Sequence, residues 1–318
     1  MGLFQRVARP AILAASRSQV IRRAAEGLPL TRSVVRRFVP GESVDDALDS
    51  VVVLRDSGRF VSIDHLGEDV TDRADADATV RAYLQLLGRL GERGEPSATP
   101  RPLEVSLKLS ALGQALPRDG AKIALDNARA ICTRAAEAGV WVTVDAEDHT
   151  TTDSTLSIVR ELRTEFDWLG MVLQAYLRRT EDDCREFAAA GARIRLCKGA
   201  YDEPESVAHR DPAAVTANYL SCLRVLMAGS GYPMVASHDP AIIAAVPGMV
   251  ARTGRTVDGF EYQMLYGIRD PEQRRLTREG IHVRVYVPYG SQWYGYFVRR
   301  LAERPANLMF FLRALAER

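Results

Sequence analysis

HVRVYVPYGSQWYGYFVRRLAERP, residues His282–Pro305, has the pattern of a strand followed by a helix. Valine occupies every second position in its first part, which predicts a strand over 282–287. Pro288 and Gly290 are expected to end this strand, and Ser291 is a suitable helix N-cap. The proline that closes the stretch should stop the helix. The segment therefore predicts one strand–helix unit near the end of the chain.

One face of the predicted helix carries charged and aromatic side chains that are spaced to lie together: Tyr296, Arg299, Arg300 and Glu303. Two adjacent guanidiniums can grip a carboxylate or a phosphate in fork geometry. The alternative is a solvated, arginine-rich face that binds nothing. This segment alone leaves both interpretations open, so the rest of the chain has to decide between them.

The overall composition is that of a globular protein. The chain has 318 residues, of which 47% are hydrophobic and 26% charged, and no apolar run is as long as a membrane span. The net charge of +1 does not favour a nucleic-acid partner. Four cysteines form no CxxC pair, so neither a zinc framework nor a disulfide scaffold is indicated, and we expect a cytoplasmic location.

Lysine is rare in this sequence. Of 42 lysine and arginine residues, only Lys108, Lys122 and Lys198 are lysine. A lysine offers a compact, rotatable ammonium that arginine does not imitate. Lys108 and Lys198 follow apolar, strand-like runs, which favours a functional role over chance survival at the surface. Lys122 opens a predicted helix and is the weaker candidate.

The N-terminal segment is strongly basic. Residues 1–40 contain eight arginines and one acidic residue, Glu26. Such a segment can be a transit peptide, or a basic arm that packs on the body of the protein or contacts anionic lipid. We favour a basic helical arm over residues 1–45, followed by a catalytic domain over 46–318. Such an arm would allow the protein to bind peripherally to the inner face of a membrane, which the sequence alone leaves open.

Between Arg59 and the end of the chain, predicted strands and helices alternate. The predicted strands are 59–66, 103–110, 140–147, 170–177, 192–198, 232–237, 260–265 and 282–287. The predicted helices are 74–90, 119–138, 153–166, 180–190, 211–228, 239–252 and 270–280, followed by the helix after Ser291 and a last one from Ala306. Eight strand–helix units in about 250 residues predict an α/β protein with a (βα)8 TIM-type barrel. No GxGxxG or P-loop motif supports a Rossmann or P-loop fold.

Polar side chains follow almost every predicted strand, at the face where TIM barrels hold their chemistry. The cations Lys108, Arg195, Lys198, Arg299 and Arg300 predict a pocket for an anion, either a substrate carboxylate or a cofactor diphosphate. The alternative of a metal site would need four groups from neighbouring strand ends to converge: Asp145, Glu147, His149 and His238. We weigh that as the weaker interpretation and expect no metal.

Seven motifs resemble the flavin-dependent proline dehydrogenases, in order, from about Gly67 to Asn307. They are SLKLSALG, VTVDAEDH, LQAYLRRT, RLCKGAYDEP, SHD, YQMLYG and YVPYGSQWYGYFVRRLAERP. The last motif, which contains the arginine pair, is the most specific. Nothing after it resembles the aldehyde dehydrogenase half of the bifunctional relatives, so the resemblance is to the short, monofunctional form. It implies a distorted barrel with its eighth helix over the mouth, and noncovalently bound FAD.

The resemblance also implies a role for each matching residue of the substrate site. Lys108, Arg299 and Arg300 would hold the carboxylate of L-proline. Tyr201 and Tyr286 would wall the substrate ring. Proline would be oxidised to 1-pyrroline-5-carboxylate, the first step of proline catabolism to glutamate. The electrons would pass to a membrane quinone, and the product to a separate pyrroline-5-carboxylate dehydrogenase.

The cofactor site is implied in the same way. Arg195 would lie against the flavin near its hydride-accepting nitrogen, and the backbone of Ala146 and the side chain of Gln174 would meet the ring. The ribityl and phosphate groups would be held by Lys198, Gly199, Ala200, Ser237 and His238. Asp145 would tie Lys108 or its neighbours in place. Glu68 would pair with Arg299 as a gate over the bound substrate.

Physical chemistry is consistent with this assignment, since a cationic pocket both holds a carboxylate and lowers the pKa of an amine. Positive charge beside a flavin also stabilises its reduced, anionic form. Two other functions stay open at this point. One is a barrel lyase or aldolase that forms a Schiff base on Lys108 or Lys198. The other is a non-catalytic, ligand-binding barrel.

Overall fold

A computed structural model describes residues 35–94 and 97–297 of the chain. Eight parallel strands close into a barrel in which every strand pairs with its neighbour in sequence and the last pairs with the first. The strands are β1 (Phe60–His65), β2 (Leu103–Leu107), β3 (Trp141–Val144), β4 (Gly170–Gln174), β5 (Arg193–Cys197), β6 (Tyr232–Ala236), β7 (Glu261–Leu265) and β8 (Val283–Tyr289). The predicted (βα)8 fold is confirmed.

Within residues 35–94 and 97–297, one full α-helix precedes the barrel and seven α-helices connect its strands. They are α1 (Val44–Asp56), α2 (Arg73–Gly91), α3 (Gly120–Ala138), α4 (Thr152–Arg163), α5 (Thr180–Ala189), α6 (Pro212–Ala228), α7 (Pro240–Thr253) and α8 (Asp270–Arg278). Their apolar sides and the outward faces of the strands form one continuous hydrophobic core. This arrangement leaves the inward faces of the strands free to carry other side chains.

Helix α1 was not predicted from the sequence. Ser43 and Asp46 cap this helix reciprocally, because each side chain accepts a hydrogen bond from the backbone N–H of the other. The spacing of these two residues is therefore a helix-start signal that was present in the sequence. The helix packs against β1 and β8. The boundary proposed at residue 45 falls inside the first turn of α1, and the division into arm and barrel stays a prediction.

Several strand ends differ from the predictions, and β4 for example ends at Gln174, three residues earlier than expected. β2 and β3 end at Leu107 and Val144, three residues earlier than expected, so Lys108 and Asp145 come directly after their strands. β8 is longer than expected, because it continues through Pro288 to Tyr289. Proline lacks an N–H donor but keeps its carbonyl, and here the pairing continues past it through the N–H of Leu66, which donates to the Tyr289 carbonyl.

The start of the helix that was predicted after Ser291 packs against residues 35–39 and Glu42. Residues 293–297 are helical, so the helix begins after Ser291 as expected. Trp293 and Phe297 share an apolar cluster with Phe38, and the Trp293 indole donates a hydrogen bond of 3.0 Å to Glu42. Several predictions fall outside the described residues: the basic arm up to residue 34, the face with Arg299, Arg300 and Glu303, and the helix from Ala306.

Candidate active site

The carboxyl ends of five strands bring together Asp64, Lys108, Asp145, Arg195 and Tyr286. The Lys108 Nζ donates to Asp64 Oδ2 at 2.6 Å and lies 3.8 Å from Asp145 Oδ2. Burial alone would lower the pKa of Lys108, but the two carboxylates hold it above its ordinary value. Lys108 is therefore a buried, charged ammonium at the mouth of the barrel.

Asp145 connects the other members of this group. Its Oδ1 accepts hydrogen bonds from Arg195 Nη1 at 2.7 Å and from Ser106 Oγ at 2.8 Å, and its Oδ2 accepts from the Tyr286 hydroxyl at 2.8 Å. We expected Asp145 to tie Lys108 or its neighbours in place. The structure shows that it binds the neighbours directly.

Asp64 is the hydrogen-bond partner of Lys108, a role that was not predicted from the sequence. It is the second-last residue of β1 and pairs with Ser106 on β2, which lies two residues before Lys108. A polar residue at a strand end was a signal for this position. Which of several carboxylates reaches the lysine depends on strand register, which the sequence does not specify.

The described part of this pocket is not cationic, contrary to the sequence analysis. Lys108 and Arg195 bring two positive charges, and Asp64 and Asp145 bring two negative ones at hydrogen-bonding or ion-pair distance. The prediction of a cationic pocket rested on the cations alone, and the barrel places these carboxylates between them. A net positive pocket consequently depends on the arginine pair, which lies outside the described residues.

Gln174 ends β4 with a buried amide. It is 4% exposed, and within residues 35–94 and 97–297 its Oε1 has no hydrogen-bond partner. Gln174 and Ala146 line the same small cavity. Burying a carbonyl oxygen without a donor is unfavourable, which makes this atom a candidate for contact with a ligand N–H group.

Lys198 lies at the mouth beside the first turns of two helices. Its Nζ donates to Asp239 Oδ2 at 2.7 Å and to Thr216 Oγ1 at 3.0 Å. Asp239 is the N-cap of α7, and Thr216 is near the start of α6. A half-exposed ammonium between two helix N-termini is suited to a phosphate group.

The remaining cofactor candidates surround this lysine. The Ser237 hydroxyl accepts from the backbone N–H of Asp239 at 3.1 Å, and His238 Nε2 accepts from the N–H of Leu265 at 2.9 Å. Because Nε2 accepts, a neutral His238 ring carries its proton on Nδ1.

Gly199 precedes Ala200 and Tyr201, which are both half-buried. Gly199 has φ +104°, and a Cβ on this residue would lie 2.1 Å from the ring of Tyr176. We expected glycine here so that the backbone could approach a phosphate. In the structure, glycine is needed at this position because the main chain packs closely against the ring of Tyr176.

The loop that carries Glu68 is anchored to β2's end. The backbone N–H of Asp69 donates to Ser110 Oγ at 3.1 Å, and the Ser110 hydroxyl in turn donates to Glu147 Oε2. Burial raises the pKa of Glu147 to about 7, against the opposing effect of the Ser110 hydrogen bonds. The partner expected for Glu68, Arg299, lies outside the described residues, so the gate stays a prediction.

The four candidates for a metal site have separate partners: Asp145 binds Arg195, Glu147 binds Ser110, His149 binds Glu203 and His238 binds the Leu265 N–H. Among the described residues, no three His, Cys, Asp or Glu side chains are grouped so that they could hold a metal ion. A Schiff base on Lys108 is also disfavoured, because the nucleophile has to be a neutral amine and this ammonium is held charged.

The described part of the chain contains no helix that is both long and apolar enough to cross a membrane.

The chain is similar to known proline dehydrogenases over most of its length. A family model described as "Proline dehydrogenase" matches residues 47–313. "Proline dehydrogenase 1" of Bacillus subtilis strain 168 is 38% identical over 288 residues, which are 91% of this chain and 92% of that protein. "Proline dehydrogenase" of Deinococcus radiodurans is 39% identical over 285 residues, which are 89% of this chain and 90% of that protein.

A larger protein shares the fold. The crystal structure of proline utilization A (PutA) from Bdellovibrio bacteriovorus, inactivated by N-propargylglycine, superposes with a TM-score of 0.78 and 28% sequence identity. The match covers 86% of this chain and 33% of that one, so this chain spans about a third of that protein's length.

Proposed function

Because this chain belongs to the proline dehydrogenase family and is therefore an oxidoreductase that oxidises proline, we propose that FAD is its cofactor and that L-proline is converted to 1-pyrroline-5-carboxylate. The observation that carries the proposal is the cluster of Lys108, Asp145, Arg195 and Tyr286 at the carboxyl ends of the strands. When bound, FAD supplies the acceptor for a hydride equivalent, and the protein supplies binding, orientation and electrostatics.

The residues around the mouth of the barrel fit a flavin nucleotide. The buried Gln174 Oε1, which has no donor among the described residues, suits the N–H at the edge of the ring, and the backbone of Ala146 lies beside it. Lys198, between two helix N-termini, suits the diphosphate. We assign the ribityl and phosphate groups to a set of neighbours around this lysine: Gly199, Ala200, Ser237 and His238.

We propose that Lys108 holds the proline carboxylate together with Arg299 and Arg300. An ammonium has three N–H donors, so Lys108 can donate to a substrate carboxylate while Asp64 retains one bond. Tyr286 is fixed by its hydroxyl, which donates to Asp145, and would present its ring to the substrate together with Tyr201. Glu68 would close over the bound proline by pairing with Arg299.

The substrate amine has to be neutral when the hydride leaves, since an ammonium opposes the developing iminium charge. The described pocket has balanced charges, with Asp64 and Asp145 opposite Lys108 and Arg195. We therefore assign the lowering of the amine pKa to the positive charges of Arg299 and Arg300. Arg195, buried and 5.3 Å from the centre of the Tyr286 ring, places positive charge where the reduced flavin becomes anionic.

We propose a membrane quinone as the electron acceptor, and a separate pyrroline-5-carboxylate dehydrogenase as the enzyme that consumes the product. The basic arm within residues 1–45 would hold the enzyme peripherally on the cytoplasmic face of the membrane, because its arginines attract anionic lipid. Such contact would bring the enzyme close to an electron acceptor that is dissolved in the membrane.

The test is spectroscopic. The purified protein is expected to be yellow and to release FAD on denaturation. When L-proline is added in the absence of oxygen, the absorbance of the oxidised flavin should disappear. N-propargylglycine, the inactivator in the PutA structure, should inactivate this enzyme as well, and L-proline should protect it. A protein that contains no flavin, or whose flavin stays oxidised with L-proline, would contradict the proposal. Trapping with borohydride and a carbonyl substrate would support the lyase instead.

A further inference from the structure

Below the active site, the interior of the barrel contains a buried network of charged side chains. Glu104 on β2 is fully buried, and its carboxylate accepts hydrogen bonds from two arginines on β5 across the barrel. Oε2 accepts from Arg193 Nη2, and Oε1 accepts from Arg195 Nη2 at 2.6 Å. TIM barrels ordinarily fill this interior with branched apolar side chains, so this arrangement calls for a physical reason.

Every N–H group of the Arg195 guanidinium donates a hydrogen bond inside the barrel. A guanidinium has five N–H groups in a fixed plane. Those of Arg195 are directed to five acceptor side chains: Ser62, Glu104, Ser106, Asp145 and Gln263. The plane of the guanidinium is therefore fixed from below and from the sides, and a ligand atom that approaches Arg195 has to share a donor that already has an acceptor.

Among the described residues, Glu104 is the carboxylate that contacts Arg195 from below the site. Burial alone would raise the pKa of Glu104, but the cations of Arg284, Arg193 and Arg195 hold it well below its ordinary range. Glu104 is thus ionised, and it offsets part of the positive charge of Arg195 directly under the position assigned to the flavin.

We propose that Glu104 is a positioning residue of the redox site, which holds the Arg195 guanidinium in place from within the barrel and sets how much positive charge a bound flavin experiences. This inference rests on the proposed function, because it requires the flavin. It assigns a role to a residue of β2 that lies two positions before the start of the SLKLSALG motif at Ser106.

The test variant is Glu104→Gln, which keeps the shape of the side chain and removes its charge. Without the carboxylate, more of the charge of Arg195 reaches the flavin, so the reduced, anionic form gains stability. We expect the two-electron reduction equilibrium to shift toward the reduced flavin by about tenfold, which corresponds to about 30 mV. The potential is measured by spectroelectrochemistry on the flavin-loaded protein, together with its thermal stability.

The matched control is Glu261→Gln. Glu261 is also fully buried and also pairs with an arginine, since both its oxygens accept from Arg284 at 2.7 and 2.9 Å. It does not contact Arg195, which it reaches only through the Gln263 amide. Both variants lose a buried carboxylate and should lose stability, but we expect the potential to shift clearly less in the control.

Three outcomes are informative. A raised potential in Glu104→Gln and a smaller shift in Glu261→Gln support the proposal. An unchanged potential in a folded, flavin-loaded Glu104→Gln, or an equal shift in both variants, overturns it and leaves Glu104 as a structural residue. A wild-type protein without flavin overturns the proposed function, and this inference with it.

If the single variant does not fold, the double variant Glu104→Gln with Arg193→Gln takes its place. It removes the anion together with the second cation that the anion binds, and so leaves less unpaired charge in the barrel. Arg195 still loses its partner from below. We expect a shift in the same direction, and a potential identical to that of the wild type overturns the proposal.

Discussion

Replacing Lys108 with methionine should weaken both the fold and the binding of proline, and the two effects can be separated. Lys108 is buried, with Asp64 at 2.6 Å and Asp145 at 3.8 Å. Its removal leaves two carboxylates without this cation. Removing one partner of a buried ion pair costs on the order of 3–5 kcal/mol, because the other charge stays buried without a partner. We expect a loss of that size in the free energy of unfolding of Lys108→Met.

The double variant Lys108→Met with Asp64→Asn removes both members of the pair. Most of the lost stability should return, since no unpaired charge remains at Asp64. Proline affinity should stay low, because the substrate carboxylate has lost a charged donor. One charge-assisted hydrogen bond contributes about 1.5–3 kcal/mol, so the dissociation constant for proline should become roughly 10- to 150-fold larger.

Urea denaturation gives the free energy of unfolding, and titration of the flavin absorbance with proline gives the dissociation constant. Lys122→Met is the matched control, because Lys122 is exposed on α3 and pairs with Asp126 at the surface. An exposed pair contributes about 0–1 kcal/mol, so neither measurement should change much. If the double variant bound proline as tightly as the wild type, Lys108 would not hold the carboxylate and the assignment of the substrate site would be wrong.

Three further predictions concern other parts of the molecule. The pKa of Glu147 is raised to about 7, so the folded protein favours the neutral carboxyl and the wild type loses stability as the pH rises from about 4.5 through 7. Glu147→Gln should therefore become more stable than the wild type across that window, by about 3 kcal/mol at most. A difference in urea midpoint between variant and wild type that is the same at pH 5 and at pH 8 would contradict this. Arg299→Lys and Arg300→Lys keep the charge but lose the fork, so both should weaken proline binding in flavin titrations, Arg300→Lys more strongly; wild-type affinity in both would mean that the pair is a solvated face. Deleting residues 1–34, which keeps the cluster around Phe38, should preserve activity with a soluble dye and abolish salt-sensitive binding to anionic liposomes. Equal binding with and without these residues would exclude the lipid-contacting arm.

Much of the barrel could be predicted because its signal is repeated. Short apolar runs that alternate with helical patterns occur eight times, and the closed sheet follows from their number and order. α1 was missed because it precedes this alternation and because its capping pair, Ser43 and Asp46, was not considered. β8 was predicted too short because Pro288 was treated as a strand end, although a parallel strand can continue on carbonyl acceptors alone.

The site was less accessible to prediction than the fold. The rarity of lysine and the polar strand ends identified Lys108, Asp145 and Arg195 as candidates. The bonds between them were not predictable, because they depend on which inward-facing residues reach across the barrel. Asp64 and Glu104 lie far from their partners in sequence, and only the register of the closed sheet brings them into contact. A count of cations alone therefore overestimated the positive charge of the pocket.

The closure of β8 against β1 has a consequence for how the protein is made. Phe60 pairs with Arg284, so the first strand of the barrel waits for a partner that is synthesised more than two hundred residues later. At translation rates of about 5–20 residues per second, that delay is on the order of ten to forty seconds. During this time both outer edges of the growing sheet have unpaired backbone groups, which are prone to wrong association. The site that we propose for proline includes Tyr286 on β8, so it can form only after the ribosome has released this strand.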